Sequence, residues 1–181
     1  TNLDHEFYLN LQQTFLFSVL AWVAVAIFGS IPFIFSTLNL SISDAFFESM
    51  SGITTTGSTV ISDLDNSPKS ILLWRAIMQW LGGIGIIVMA ITVLPLLKVG
   101  GMQLFKMEGS DNTEKILPRT AEIASIIILT YLTLTFLCSF FYWIFGMNLF
   151  DSVAHAMTTI ATGGFSTHND SIGFFQNSNI E

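Results

Sequence analysis

Residues Ser51–Val60 read SGITTTGSTV, a stretch with four threonines, two serines, two glycines and no charged side chain. It follows a short apolar segment and precedes a long one. Such a loop cannot lie freely in lipid, because its backbone amide and carbonyl groups would lack hydrogen-bond partners. Irregular backbone is tolerated at membrane depth only where it is buried in protein or lines water. The stretch therefore predicts a re-entrant loop in a membrane protein.

The composition around this loop is that of a membrane protein. Of the 181 residues, 51% are hydrophobic and 10% are charged, whereas a soluble domain carries about 25% charged residues. Three apolar runs, Thr14–Leu38, Ile71–Leu97 and Ile123–Phe150, contain Arg75 as their one charged residue. Each run exceeds the roughly 20 residues that span the hydrocarbon core. A buried helix of a soluble protein explains one such run, but three of them predict an all-α membrane protein.

The basic residues indicate the orientation of the chain. Four of the six Lys and Arg residues lie between positions 98 and 120, namely Lys98, Lys106, Lys115 and Arg119. The positive-inside rule predicts that this segment is cytoplasmic and that Ser51–Val60 faces outward. Aromatic side chains are expected at the outer interface, namely Trp74, Trp80, Tyr142 and Trp143. Acidic residues collect near the polar loops, which favours cations at a pore mouth, although a solvated acidic surface is the alternative.

An internal repeat appears when the chain is shifted by 107 residues. The identical pairs are Asp44 and Asp151, Met50 and Met157, Ile53 and Ile160, Thr55 and Thr162, Gly57 and Gly164, and Asp63 and Asp170. The same shift aligns the apolar run Thr14–Leu38 with Ala121–Phe145. The predicted unit is a helix, a short helix, a polar loop and a second helix. The second copy stops at Glu181 before its closing helix, so we expect the whole protein to be longer.

The repeat predicts four segments. They are a cytoplasmic leader at 1–13, a first repeat at 14–98, a cytoplasmic loop at 99–120, and a second repeat at 121–181. The expected fold class is an all-α membrane protein of helix, pore half-helix, filter loop and helix units, similar to potassium channels. One unit is complete and the other is incomplete.

The short helix of each unit has a recognisable start. Ser41 and Asn148 are good N-cap residues, and each precedes a carboxylate in the first turn, Asp44 or Asp151. A helix of about twelve residues is roughly 18 Å long, so it reaches the middle of the bilayer but does not cross it. Its carboxyl end carries about half a negative charge. Each half-helix is therefore predicted to favour a cation at mid-membrane.

The residues after the first half-helix offer neutral oxygen ligands. Thr54–Ser58 supply backbone carbonyls and hydroxyls, and no carboxylate occurs between Ile53 and Ser62. A ring of neutral oxygens suits a monovalent cation, whereas divalent sites usually recruit carboxylates. Gly57 and Gly164 allow a positive φ, which lets successive carbonyls turn to one side. We interpret the loops as an ion filter, and a plain helix–helix turn is the alternative.

Several other residues permit more than one interpretation. Gly82, Gly83 and Gly85 in WLGGIGI indicate a helix hinge or, preferably, close packing of small residues between helices. Arg75 is expected to pair with Asp63 or Asp65, or to extend to the membrane interface.

The histidines and motifs add little chemistry. His155 occupies the place of Glu48 in the repeat and predicts a structural polar contact in preference to a proton relay. His5 and His168 are expected at the surface. The sequence contains no G-x-S-x-G elbow, P-loop or G-x-G-x-x-G motif, so no enzyme is predicted.

Three stretches carry a family resemblance: FFESMSGITTTGSTV at 46–60, WRAIMQWLGGIGIIVMAITVLPLLKVGGMQLF at 74–105, and MTTIATGGFSTHNDSIGFF at 157–175. Together with the repeat, they resemble the Trk/Ktr/HKT family of potassium and sodium uptake proteins over nearly the whole chain. The resemblance implies four repeats around one pore, and this chain has one and most of a second. It is therefore expected to be a fragment of a larger transporter.

The resemblance also implies site residues and partners. A glycine lies at the centre of each filter strand of the family, which assigns that role to Gly57 and Gly164. The neighbouring residues Thr55, Thr56, Thr162 and Gly163 would supply further potassium ligands. The family implies K⁺ as the transported ion, no bound cofactor, a homodimer in the lipid of the bacterial inner membrane, and no nucleic-acid partner. In the Trk branch it also implies a cytoplasmic nucleotide-binding subunit, TrkA.

The sequence leaves two alternative functions open. A sodium-permeable member of the same family is the first, since a serine in place of the filter glycine marks many sodium-type members. Both visible loops have glycine at that position. The second alternative is a non-conducting membrane scaffold that binds a cytoplasmic regulator through residues 98–120.

Overall fold

The computed structural model describes residues 11–93 and 116–180. In these two ranges the chain forms five α-helices and a short 3₁₀ helix, and no β-strand. The helices are α1 (Leu11–Ile34), α2 (Ile42–Ile53), α3 (Lys69–Val93), α4 (Ile116–Ile144) and α5 (Leu149–Ile160), and the 3₁₀ helix is Ser171–Phe175. The predicted all-α membrane fold is confirmed.

Three of these helices are long and apolar enough to cross a membrane. The candidate spans are Phe15–Ile34, Lys69–Met89 and Ala124–Ile144, of 20, 21 and 21 residues. Their outward surfaces carry large exposed apolar side chains, such as Phe28 on α1 and Phe136 on α4. Such side chains suit contact with lipid or with further apolar helices.

The boundaries of these helices differ from the apolar runs at both ends. α1 ends at Ile34, four residues before the end of the run Thr14–Leu38, because a turn follows at 35–38. α4 begins at Ile116, so the last residues of the predicted loop 99–120 are helical. Most of that loop, together with Pro95 and almost all of the predicted leader 1–13, lies outside the described residues.

The two half-helices, α2 and α5, both pack against α3. α2 contacts α1 and α3, whereas α5 contacts α4 and α3. One apolar cluster, formed by Phe33, Ala45, Ile61, Leu64, Ile71 and Leu72, joins α1, α2, the loop after α2 and α3. α3 is therefore the central helix that holds both half-helices in place.

Small residues allow the helices to approach closely. A Cβ atom on Gly82 of α3 would overlap the carbonyl oxygen of Ile53 at the end of α2, and one on Gly83 would lie 3.1 Å from Cα of Ala161 after α5. A Cβ atom on Gly85 would lie 3.4 Å from the Trp22 ring, an ordinary contact distance. The close packing predicted for this glycine group is present at Gly82 and Gly83. A hinge at Gly82, Gly83 and Gly85 stays a prediction, and α3 is continuous through all three.

Candidate functional site: two paired pore loops

Both half-helices begin with the predicted cap. The Ser41 hydroxyl oxygen accepts a hydrogen bond from the Asp44 amide at 3.1 Å, and the Asn148 side-chain oxygen accepts one from the Asp151 amide at 3.0 Å. These bonds satisfy amides that have no partner within the helix. Each helix ends twelve residues later, as α2 does at Ile53. The predicted caps are confirmed.

The two loops after the half-helices have the same backbone conformation. Gly57 and Gly164 have φ values of 81° and 78°, and the positive φ that the sequence predicts at both is confirmed. Thr55 and Thr162 also match, at 55° and 56°. A left-handed conformation is uncommon for a β-branched residue and is concentrated at functional sites. The sequence alone did not predict it, because threonine ordinarily avoids this region.

The loops also lie side by side. A Cβ atom on Gly57 would overlap the carbonyl oxygen of Gly163, so the first loop touches the second at this point. Of the six predicted filter residues, Gly163 is buried, Thr55 and Gly57 are half-buried, and Thr56, Thr162 and Gly164 are exposed. The structure thus brings Gly57 and Gly163 into contact, while a Cβ atom on Gly164 would meet nothing within 4 Å.

A buried ion pair lies behind the first loop. The Nε atom of Arg75 on α3 lies 2.6 Å from Oε1 of Glu48 on α2, and the two residues are 1% and 0% exposed. The Glu48 carboxylate also accepts hydrogen bonds from the Thr59 hydroxyl at 2.9 Å and the Val60 amide at 3.0 Å. Glu48 therefore anchors the chain that leaves the first loop.

The predicted partners of Arg75 were wrong. Arg75 pairs with neither Asp63 nor Asp65 and does not extend to the interface, because α3 packs directly on the half-helix that carries Glu48. Buried charges in proteins are nearly always paired. Glu48 lies near the middle of the half-helix, one turn beyond the capped first turn that holds Asp44, and this position was the available signal in the sequence.

Arg75 joins the first unit to the second. Its Nη1 atom donates a hydrogen bond to the carbonyl oxygen of Ser166 at 3.0 Å, and its guanidinium lies 4.0 Å from the centre of the Phe165 ring. Ser166 and Phe165 directly follow Gly164 in the second loop. One arginine therefore contacts the half-helix of the first unit and the loop of the second.

In the second unit a histidine replaces the carboxylate. His155 is buried, with Nδ1 2.9 Å from the carbonyl oxygen of Asp151 and Nε2 3.0 Å from the Ser166 hydroxyl. A carbonyl can only accept, so we assign the proton to Nδ1 and let Nε2 accept from Ser166. The structural polar contact that the sequence predicts for His155 is confirmed.

A second inter-unit link lies near the start of α5. The His168 ring lies between two carboxylates, with Nδ1 2.6 Å from Asp65 and Nε2 3.2 Å from Asp151, and it stacks on Phe174 at 3.6 Å. Its side chain is 17% exposed, so the expectation of a surface residue was wrong. The sequence could not show this, because the pairing depends on two loops meeting.

Asp151 is the shared acceptor of this region. The Thr167 hydroxyl donates to its Oδ1 at 2.7 Å, and the Asn148 side chain and His168 contact Oδ2. Burial tends to raise the pKa of Asp151, but these hydrogen bonds and the charge of His168 outweigh it and lower the pKa below its usual value. Asp151 is therefore held in its ionised form.

Two half-helix and loop units, packed on one central helix, together with three apolar helices define a membrane protein with a potassium-channel-like fold. A family model described as TrkH, cation transport protein, matches residues 2–181. The chain belongs to this family of cation transport proteins, which are not enzymes.

The relatives have names that agree with the family. The chain is 49% identical over 175 residues to the Trk system potassium uptake protein TrkH of Escherichia coli (strain K12), which covers 95% of the chain and 36% of the relative. It is 47% identical over 163 residues to the Trk system potassium uptake protein TrkI of Halomonas elongata, covering 90% and 33%. The chain thus spans about a third of the length of these relatives.

A solved structure shares the fold. The crystal structure of the potassium transporter TrkH from Vibrio parahaemolyticus matches with a TM-score of 0.82 and 42% sequence identity, over 99% of this chain and 35% of that one. Together with the bacterial relatives and the three apolar spans, the match identifies the chain as part of a multi-pass protein of the bacterial inner membrane.

Proposed function

We propose that the protein containing this chain takes up potassium across the bacterial inner membrane, and that the loops after α2 and α5 form two strands of its filter. The ion-binding residues of the proposal are Thr55, Thr56, Gly57, Thr162, Gly163 and Gly164. Potassium is the transported ion, held by their backbone carbonyl and hydroxyl oxygens.

The observation that carries the proposal is the side-by-side placement of two loops with one conformation. Gly57 contacts Gly163 across the two units, and the φ values of Gly57 and Gly164 are 81° and 78°. Each loop follows the carboxyl end of a half-helix, which supplies partial negative charge without a carboxylate. The names of the relatives, which are potassium uptake proteins, support the choice of ion.

In the sodium-permeable alternative, the ring of oxygen ligands would not discriminate K⁺ from the smaller Na⁺ ion. Both loops have glycine at the matched position, and this favours potassium on the family resemblance. A scaffold without transport does not require two half-helices that direct their carboxyl ends to a common region. We therefore rank both alternatives below potassium uptake.

The proposal extends to assembly. A homodimer and a cytoplasmic nucleotide-binding subunit similar to TrkA follow from the family resemblance, and we propose residues 98–120 as the region that faces this subunit. If crosslinking in native membranes captured no cytoplasmic partner, it would contradict the proposed nucleotide-binding subunit.

The test is a flux measurement on the full-length protein. Expression in cells that lack other potassium uptake systems should restore growth at low K⁺ and produce Rb⁺ uptake that Na⁺ inhibits weakly. Equal Na⁺ and Rb⁺ uptake would favour the sodium-permeable alternative. Absence of uptake of either ion, from protein present in the membrane, would favour the scaffold.

A further inference from the structure

Gln79 fills the space directly behind the second loop. It lies on α3 one turn after Arg75, and its side chain has no solvent exposure. A Cβ atom on Gly163 would lie 2.5 Å from Oε1 and 2.6 Å from Nε2 of Gln79. The uncharged amide group of Gln79 is therefore packed against the backbone of Gly163, one of the proposed filter residues.

The oxygen of this amide holds the chain that leaves the filter. Oε1 of Gln79 accepts a hydrogen bond from the backbone amide of Phe165 at 3.0 Å. Because a backbone N–H can only donate, this bond also fixes which side-chain atom is the oxygen. Phe165 directly follows Gly164, so a single side chain sets the position of the peptide next to a proposed filter glycine.

Arg75 and Gln79 act on neighbouring atoms of the same segment. Residues four apart lie on one face of a helix. Arg75 donates to the carbonyl oxygen of Ser166, while Gln79 accepts from the amide of Phe165. Of the two, Gln79 lies closer to the contact between the loops, since its Nε2 atom would lie 3.7 Å from a Cβ atom on Gly57.

The Nε2 atom of Gln79 is buried and has no hydrogen-bond partner among the residues that the structure describes. Buried donors without partners are rare and destabilising. A methionine at this position would occupy a similar volume without an unpaired donor. The amide is therefore better explained by its action on the loops than by packing alone.

We propose, as an extension that rests on the function proposed above, that Gln79 is a positioning residue for ion selectivity. Its amide group packs against the backbone of Gly163 at the contact with Gly57 and holds the Phe165 peptide, so the oxygen ring cannot contract around a smaller ion. A ring held at the size of K⁺ replaces the hydration shell of K⁺ better than that of Na⁺. Gln79 does not contact the ion in this proposal and acts through the loop backbone.

The first variant is Gln79→Met in the full-length protein. It keeps the volume and removes the acceptor for the Phe165 amide. We expect the ratio of K⁺ to Na⁺ uptake to fall about three- to tenfold, as the loss of one hydrogen bond predicts, with the protein present in the membrane at its normal amount. A purely structural role would lower the uptake of both ions together and leave their ratio unchanged.

The second variant is Gln79→Asn, which keeps an amide group but is one methylene shorter. Its oxygen is withdrawn from the Phe165 amide, so the hydrogen bond of 3.0 Å is weakened or lost. We expect the ratio of K⁺ to Na⁺ uptake to fall in the same direction as in Gln79→Met. This variant decides the question if Gln79→Met is absent from the membrane.

The matched control is Trp80→Phe, on the adjacent position of α3. It removes the hydrogen bond from Trp80 to the Thr135 hydroxyl of α4, at 3.0 Å, and leaves the loops untouched. Its ion ratio should match that of the unmodified protein. An unchanged ratio in Gln79→Met, or in Gln79→Asn where Gln79→Met is absent from the membrane, would overturn the role of Gln79. An unmodified protein that does not prefer K⁺ would instead contradict the proposed function.

Discussion

The carbonyl oxygen of Gly163 occupies the place that a Cβ atom on Gly57 would need. Gly57 also has a φ of 81°, which costs an L-residue of order 1 kcal/mol or more. Two independent constraints therefore require glycine at this position. One is local to the first loop, and the other comes from the second loop. Any side chain at Gly57 is expected to move both loops at once.

The first prediction concerns Gly57→Ser. We expect a reduced K⁺ to Na⁺ uptake ratio with some flux remaining, because the added Cβ displaces Gly163 and the left-handed backbone is strained. Uptake of both ions by the full-length protein is the measurement. The control is Gly85→Ser, whose Cβ would lie 3.4 Å from the Trp22 ring, away from the loops. If Gly85→Ser shifted the ratio and Gly57→Ser did not, the filter would lie elsewhere.

The second prediction concerns the buried pair of Glu48 and Arg75. Replacing one partner leaves an uncompensated buried charge, which typically costs about 3–5 kcal/mol. We expect Arg75→Met to lower the thermal unfolding midpoint of the detergent-solubilised full-length protein strongly. The double variant Glu48→Gln with Arg75→Met should recover part of the loss, since no lone charge is left.

The control for this prediction is Asp63→Asn. Asp63 is exposed, and its side chain accepts hydrogen bonds from Asn66. It was one of the two carboxylates that the sequence suggested for Arg75. Its replacement should shift the midpoint little, as surface changes usually do. A loss as large as that of Arg75→Met would mean that Asp63 and not Glu48 stabilises the arginine.

Features that depend on neighbouring residues in the chain could be predicted from the sequence. The cap at Ser41 and the cap at Asn148 follow from local hydrogen bonding, and the positive φ of Gly57 follows from its lack of a Cβ atom. The half-helix length followed from the repeat, because each copy confirms the other.

Features that depend on how segments meet could not be predicted in the same way. Arg75 had several carboxylates within plausible reach, and only the packing of α3 on α2 selects Glu48. His168 is half-buried because two loops separated by about 100 residues come together at Asp65. The contact of Gln79 with Phe165 belongs to the same class. Such contacts require the relative placement of helices, which periodicity does not give.

The third prediction concerns acid stability. The pKa of Asp151 is lowered in the folded protein, so its contribution to stability is complete above the pKa of the unfolded chain, about 4. It is lost as the pH falls through the lower folded-state value. The thermal unfolding midpoint of the full-length protein should therefore decrease as the pH is lowered below about 4.

Two variants test the assignment to Asp151. Asp151→Asn should be less stable at neutral pH and should show a weaker decline in acid. Thr167→Val removes the hydrogen bond to Oδ1 and keeps the charge. The folded-state pKa of Asp151 then lies closer to the unfolded value, so the acid decline should be smaller and should end at a higher pH. If both variants followed the pH profile of the unmodified protein, another group would govern the acid loss.

The fourth prediction concerns orientation, which rests on the basic residues of 98–120. Glu108→Cys, in a full-length background without native cysteines such as Cys138, should not react with an impermeant thiol reagent applied to intact cells. It should react after the membrane is opened. The matched control is Ser62→Cys, at an exposed position after the first loop, which should react from outside. Because the predicted topology places the half-helix entrances on the side opposite to 98–120, the two cysteines are expected to give opposite results. Labelling of Glu108→Cys and protection of Ser62→Cys in intact cells would show that the orientation is the reverse of the predicted one. Both loop entrances would then lie on the cytoplasmic side.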